Sequence, residues 1–153
     1  MASVLIENYN SPNVIRMEPG KWTQTMRLKM IAEDEPQARN SVTLEGGEPL
    51  ITWHGHSAYA EAGLQHAFDN LASAIPFEVQ DIRLFEKDPT EAHIQGTHRM
   101  GTDPDRSVTN SELETHETKG LFALGAGCFP TSSTANPTLT LSALALRAGR
   151  SIQ

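Results

Sequence analysis

The sequence predicts an α+β fold in which an antiparallel β-sheet is backed by helices and is followed by a C-terminal strand-helix segment. Strand-like patterns come first in the 153 residues, and only two long stretches have helical periodicity. The pair Gly46-Gly47 joins two of the strand patterns, and so short a link cannot make a parallel crossover. Strands with helices covering one face favour an α+β arrangement. The last strand and helix are more typical of a βα unit, so we expect them to pack into a different layer.

Five strands are predicted before the C-terminal segment. Residues 3–10 form a short apolar run, and residues 25–33 alternate apolar and polar side chains. The stretch "NSVTLEGGEPLITWH" predicts two strands joined at the glycine pair. Residues 11–22 contain two prolines and a glycine, so they are predicted to be irregular. The fifth strand is predicted at residues 77–86.

A helix, a long loop, a strand and a second helix complete the prediction. Apolar residues recur at helical spacing after Ser57, a typical N-cap residue, and Pro76 ends that pattern. Residues 87–120 are rich in Gly, Asp, Pro and Thr, and long irregular stretches of this kind are often functional. Residues 121–124 predict a buried strand that leads into a glycine-containing turn.

Asn136 stands at the start of the last helix, which is predicted over residues 137–150. Asn is a favoured N-cap residue, and Pro137 suits the first helical position because its missing N–H is not needed there. One interpretation is that Asn136 only caps the helix. The other is that an anionic or electron-rich group lies against the helix start.

Composition excludes several classes of protein. The net charge of −7, with 19 acidic and 12 scattered basic residues, argues against a nucleic-acid partner. The most apolar run, residues 139–148, is interrupted by polar side chains and predicts no membrane span. A single cysteine, Cys128, excludes a disulfide framework and is best interpreted as a small buried apolar residue.

Two pairs of histidines are candidate functional residues. His54 and His56 would share one face of a strand and could bind a metal, but zinc sites need three or four ligands and no third is evident. His93 and His98 lie in "EAHIQGTHRMGTDPD", either as loop residues with local hydrogen bonds or as a general base. The chain has neither a Gly-x-Ser-x-Gly elbow nor a Gly-x-Gly-x-x-Gly fingerprint.

Four stretches together resemble the C-terminal signature of the glucose–methanol–choline (GMC) oxidoreductase family. They are "HIQGTHRMGTDPDRSV", "GLFALGAGCFPT", "ANPTLT" and "LSALALRAGRSI". Their order and spacing are nearest to the pyranose oxidase-like members. The stretch "PQARNSVTLEGGEPLITWHGHSAYAEAG" is similar to the strand-strand-helix passage of the family's substrate-binding domain.

The resemblance implies an FAD enzyme that oxidises the hydroxyl group of a small-molecule alcohol or sugar. His93, followed by Gly96 and Thr97, matches the catalytic histidine of a His-x-x-Gly-Thr word, and Asn136 matches the second active-site residue. His98 matches a more variable position. The cofactor-binding positions implied in the same way are Gly125, Ala126, Gly127, Pro137 and Thr138. An Asp-Gly pair is common in the family where this chain has Gly125-Ala126, so a backbone contact is expected there and a carboxylate contact is not.

The main departure from the family is that no ADP-binding glycine motif occurs in these residues. We therefore expect a C-terminal fragment of such an enzyme that is inactive alone and has the missing FAD domain as its partner. Residues 1–119 would form the substrate-binding sheet and active-site loop, and residues 120–153 would return to the FAD domain. Apolar surface left exposed there makes a homo-oligomer a further expectation. The alternatives are a non-catalytic remnant acting as an interaction module and, more weakly, a small metalloprotein.

Overall fold

The computed structural model describes residues 1–9, 17, 20, 23–85 and 87–152. Within these residues, four strands form two separate antiparallel pairs, and three α-helices follow them in the chain. The predicted α+β class is confirmed. The strands belong to two sheets rather than one, because each pairs with its sequence neighbour and no pairing joins the two sheets within these ranges. Most of the segment at 11–22, predicted to be irregular, lies outside the described residues.

The first sheet pairs β1 (Val4–Asn8) with β2 (Leu28–Ala32) and carries the helix α1 (Ala58–Asp69). Ser57 caps α1 as predicted, because its side chain accepts a hydrogen bond of 3.1 Å from the Ala60 N–H. A Cβ at Gly63 would lie 2.7 Å from the Ala2 Cβ, so glycine is what allows the helix to approach the start of β1. A short helix α2 (Leu71–Ala74) extends this layer.

The second sheet is the predicted hairpin, formed by β3 (Ser41–Glu45) and β4 (Glu48–Thr52). Gly46 and Gly47 have φ values of 61° and 89°, the positive region that a two-residue hairpin turn requires. The register places Val42 opposite Ile51 and Leu44 opposite Pro49. Because paired residues share a face, one face of this hairpin is apolar, and its side chains are exposed.

Residues 87–120 contain only isolated bridges, as their irregular composition predicts. Met100 pairs with Thr109, Thr109 with Thr115, and Glu114 with Phe122. Leu113 and Cys128 are fully buried with Ala148, and Met100 packs against this cluster. The buried interpretation of Cys128 is confirmed. The loops of this region therefore surround a small core of their own.

Two predicted strands are wrong. Residues 77–85 have no strand assignment, and residues 121–124 make one bridge, at Phe122, instead of a buried strand. Leu121 and Leu124 are 53% and 48% exposed. Both segments have apolar residues typical of strands, but a strand also needs a neighbouring backbone for its hydrogen bonds, and neither segment has such a neighbour over several residues here. The glycine-containing turn after residue 124 is confirmed as a short 3₁₀ helix (Ala126–Cys128).

The terminal helix α3 spans Thr138–Ser151, close to its predicted bounds. The prediction that Asn136 caps it is wrong, since Pro137 occupies the cap position and no side chain caps the helix. The Leu141 N–H donates to the Pro137 carbonyl at 2.9 Å, which makes Pro137 the first acceptor of the helix. Among the described residues, no helix is both long and apolar enough to cross a membrane.

Candidate active site

The glycine turn at residues 125–128 pairs with the segment that follows the His-x-x-Gly-Thr word. The His98 N–H donates to the Gly127 carbonyl at 3.1 Å, and the Met100 N–H donates to the Cys128 carbonyl at 2.8 Å. A Cβ at Gly127 would lie 2.4 Å from His98 Cε1 and 2.4 Å from Thr97 Oγ1. Only glycine fits between these two side chains and the turn. The structure therefore brings two of the predicted site motifs together.

His93 lies in a loop, between two residues with positive φ. Ala92 has φ 61° and Gly96 has φ 83°, so the chain turns sharply on both sides of the histidine. The Ala92 N–H donates to Thr90 Oγ1 at 2.9 Å and holds the first of these turns. The His93 side chain is half-buried and makes no hydrogen bond within the described part of the chain. Its imidazole is therefore available to another molecule.

Asn136 is exposed and lies two residues before the start of α3. The preceding loop is held locally, because the Ala135 N–H donates to Ser133 Oγ at 3.1 Å. The Asn136 carboxamide makes no hydrogen bond to any described residue, and none joins it to His93. Thr138 and Leu139, which follow at the helix start, are exposed as well. The carboxamide and the first turn of α3 are therefore accessible.

A separate hydrogen-bonded cluster lies just after β2 and is centred on Asp34. It includes Pro89 and Ser132, which stand four residues before His93 and Asn136, respectively. Asp34 Oδ2 is 2.8 Å from His56 Nδ1, and His56 Nε2 is 2.8 Å from the Pro89 carbonyl oxygen. On its other side, the Asp34 N–H donates to Ser132 Oγ, and the Ser132 hydroxyl donates to the Asp34 carbonyl, each at 2.6 Å. Asp34 thus contacts the Ser132 loop directly and the Pro89 loop through His56.

The electrostatics of this cluster favour an ionised Asp34. Burial raises the pKa of this carboxyl group, but hydrogen bonds from Ser57 and His56 outweigh it and bring the pKa below the ordinary value of 3.8. The neighbouring Glu33 also has a lowered pKa, because the Ser3 N–H and the Tyr59 hydroxyl donate to it. A cleft of about 310 Å³ opens beside them and is lined by Glu33, Asp34, Glu35, Tyr59, Thr131 and Ser132.

The prediction that His54 and His56 share a strand face is wrong. β4 ends at Thr52, and Gly55, with φ 97°, turns the chain between the two histidines. His56 points to Asp34 and Pro89, and His54 is exposed. No cluster of three or more His, Cys, Asp or Glu side chains suited to a metal occurs in the described ranges. Sequence reasoning missed the Asp34 cluster, because its partners are 22 and 98 positions apart and share no motif.

The glycine turn has the open backbone that the flavin implied by the resemblance would require. Gly125 has φ 119°, and a Cβ there would meet nothing within 4 Å, so the turn presents bare backbone to open space. Beneath the turn, His98 Nε2 is buried without a hydrogen-bond partner among the described residues, and the ring fills space under Gly127. The open glycine backbone, together with the His93 imidazole and the Asn136 carboxamide, which have no hydrogen-bond partners among the described residues, fits a flat, polar cofactor.

The comparisons with known proteins agree with the motifs. The family model described as GMC oxidoreductase matches residues 36–145. The chain is 34% identical over 131 residues to 2-methyl-1,2-propanediol dehydrogenase of Mycolicibacterium austroafricanum, covering 78% of this chain and 24% of that protein. It is 49% identical over 61 residues to C-glycoside 3-oxidase of Arthrobacter globiformis, covering 39% of this chain and 12% of the relative.

A third relative is pyranose 2-oxidase of Tricholoma matsutake, which is 38% identical over 60 residues, covering 39% of this chain and 11% of the relative. The chain spans about a quarter of the first of these relatives and a smaller share of the other two. The family match covers well over half of the chain, and the chain belongs to the GMC oxidoreductase family.

Proposed function

We propose that this chain supplies the substrate side of the active site of an FAD-dependent enzyme that oxidises the CH–OH group of an alcohol or sugar. The observation that carries the proposal is the pairing of the His-x-x-Gly-Thr segment with the glycine turn, through His98–Gly127 and Met100–Cys128 hydrogen bonds. This pairing joins the histidine loop to the backbone that fits a flavin. The names of the relatives, which act on a diol, on C-glycosides and on a pyranose, support a hydroxylated substrate.

When bound, FAD supplies the acceptor of the hydride that leaves the substrate carbon. His93 is the base in this proposal and takes the proton of the substrate hydroxyl as that carbon is oxidised. Asn136 donates an N–H of its carboxamide to the oxygen as negative charge develops there, without changing its own charge. The first turn of α3, where Thr138 and Leu139 are exposed, adds the partial positive charge of a helix start, worth about 0.3–1 kcal/mol.

The division of the chain follows from the same proposal. Residues 1–119 provide the two sheets and the His93 loop, and residues 120–153 provide the glycine turn and the helix that face the flavin domain. Gly125, Ala126, Gly127, Pro137 and Thr138 are the positions proposed to contact the cofactor. Most of the FAD contacts would come from a domain outside these residues, and the 153 residues alone would not turn over substrate.

The test uses the flavin-loaded enzyme and measures how fast substrate bleaches the flavin in the absence of oxygen. We expect His93→Ala to slow this reduction by about 10²–10⁴-fold, the usual contribution of a general base. Asn136→Ala should slow it by about 10²–10³-fold, as expected for a lost donor to a developing oxyanion. His54→Ala is the control, because this exposed histidine lies outside both loops.

Normal flavin reduction in both His93→Ala and Asn136→Ala, with the cofactor bound and the fold intact, would reject the catalytic proposal. That result would favour the alternative of a non-catalytic interaction module. The flavin absorption spectrum of each variant shows whether the cofactor is still bound, so that a slow rate caused by cofactor loss is recognised.

A further inference from the structure

Two loops reach the proposed active site. Each loop is tethered to Asp34 at a point four residues before its proposed active-site side chain. Pro89 precedes His93 by four residues, and Ser132 precedes Asn136 by four residues. Four residues of extended chain span about 14 Å at most, so fixing Pro89 and Ser132 limits where the two side chains can lie. The two tethers use different atoms of Asp34 and can be cut separately.

The first tether runs through the side chain of Asp34. Its carboxylate faces His56 Nδ1 at 2.8 Å, and His56 Nε2 faces the Pro89 carbonyl at 2.8 Å. When both ring nitrogens carry hydrogen, His56 donates to both acceptors and bridges β2 to the loop. The Lys29–Glu91 ion pair fastens the same loop to β2 at a second point. His93 follows directly after these two fastenings and the turn at Ala92.

The second tether runs through the backbone of Asp34. Its N–H and carbonyl form a two-point clamp with the Ser132 hydroxyl, with both distances at 2.6 Å. A hydroxyl that donates and accepts at once restrains both the distance and the orientation of its loop. Ser132 is part-buried, so these bonds are partly shielded from water.

We infer that Asp34, His56 and Ser132 are positioning residues, which hold the loops of His93 and Asn136 in one geometry about the substrate. None of the three touches the reacting atoms in this account. The inference rests on the proposed function, because it assigns the cluster a role through His93 and Asn136. Displacements near 1 Å can cost about 10²-fold in rate, so such tethers would affect the chemical step without being catalytic.

The first experiment replaces His56 by two amides that retain different donors. His56→Gln places an N–H near the Nε2 position and can still reach Pro89, whereas the shorter side chain of His56→Asn reaches only toward Asp34. In the flavin-loaded enzyme at saturating substrate, we expect His56→Asn to slow flavin reduction about 10–100-fold. His56→Gln keeps the Pro89 contact but loses the Asp34 contact, so its loss should be smaller, about three- to tenfold. His54→Asn and His54→Gln, two positions away, are matched controls with no expected effect. Equal losses in the two His56 variants would overturn the inference.

The second experiment asks through which residue each tether acts. His56→Asn should cause no further loss in a His93→Ala background, and Ser132→Ala should cause no further loss in an Asn136→Ala background. Each should keep its full effect in the other background, because residues acting as a unit are non-additive. Should His56→Asn fail to fold, Ser132→Ala and its two double variants carry the same test.

The outcomes separate the two claims. If His93→Ala leaves flavin reduction unchanged, the proposed function fails and the inference falls with it. If His93→Ala is slow but His56→Asn multiplies that loss by its full factor, the proposed function stands and the positioning role is wrong. Thermal unfolding of every variant separates a local displacement from a general loss of stability.

Discussion

The substitution Gly127→Ala tests the contact between the glycine turn and the histidine segment. The added Cβ would lie 2.4 Å from His98 Cε1 and Thr97 Oγ1 and 2.5 Å from His98 Nδ1, well inside van der Waals contact. Overpacking of this kind costs about 1–3 kcal/mol. The turn carries two backbone hydrogen bonds to this segment, each worth about 0.5–1.5 kcal/mol, and lifting the turn weakens them. We expect the free energy of unfolding to fall by about 2–5 kcal/mol.

Urea unfolding followed by circular dichroism measures this loss through linear extrapolation. Gly149→Ala is the matched control, since Gly149 lies within α3 and a Cβ there meets nothing within 4 Å. Alanine is favoured over glycine in a helix interior, so the control should gain about 0.5–1 kcal/mol. A Gly127→Ala protein as stable as the parent would refute the packing described for the turn.

Three further predictions concern single residues. Ser57→Ala removes the cap of α1 and should lower the free energy of unfolding in urea by about 1 kcal/mol, and an unchanged value would argue against the cap. Because the pKa of Asp34 is lowered on folding, its carboxylate contributes stability above pH 3.8 that is lost as pH falls toward the folded pKa. Asp34→Asn should therefore flatten the acid side of the stability–pH curve, whereas a curve parallel to the parent's would contradict this. Burial raises the pKa of the Cys128 thiol, so iodoacetamide should label it slowly in the folded protein and rapidly in urea, and rapid labelling of the folded protein would contradict its burial.

Elements specified by neighbouring residues could be predicted from the sequence. The hairpin turn needs positive φ at two adjacent positions, and the pair Gly46-Gly47 predicts such a turn because glycine adopts positive φ readily. The cap of α1 depends on Ser57 and the N–H three residues later. Both are local interactions, and both predictions were confirmed.

Elements that depend on distant partners could not be predicted in the same way. Residues 121–124 have the composition of a buried strand, but only Phe122 finds a bridging partner. The nearby His54 makes His56 a candidate metal ligand in the sequence, whereas the partners of His56 in the structure are Asp34 and Pro89. Periodicity does not report contacts across 22 or 33 positions. The site motifs could be predicted because they are short, uncommon sequence patterns. The hydrogen bond between His98 and Gly127 that pairs two of them is visible only in the structure.

The central claim is that His93 and Asn136 act on the same substrate hydroxyl beside the flavin. A crystal structure of the flavin-loaded enzyme with a bound substrate analogue measures this directly. The account predicts that the His93 ring and the Asn136 carboxamide both lie within about 3.2 Å of the analogue's hydroxyl oxygen, next to the flavin ring. The two side chains lying on different sides of the flavin, or only one of them contacting the analogue, would contradict it.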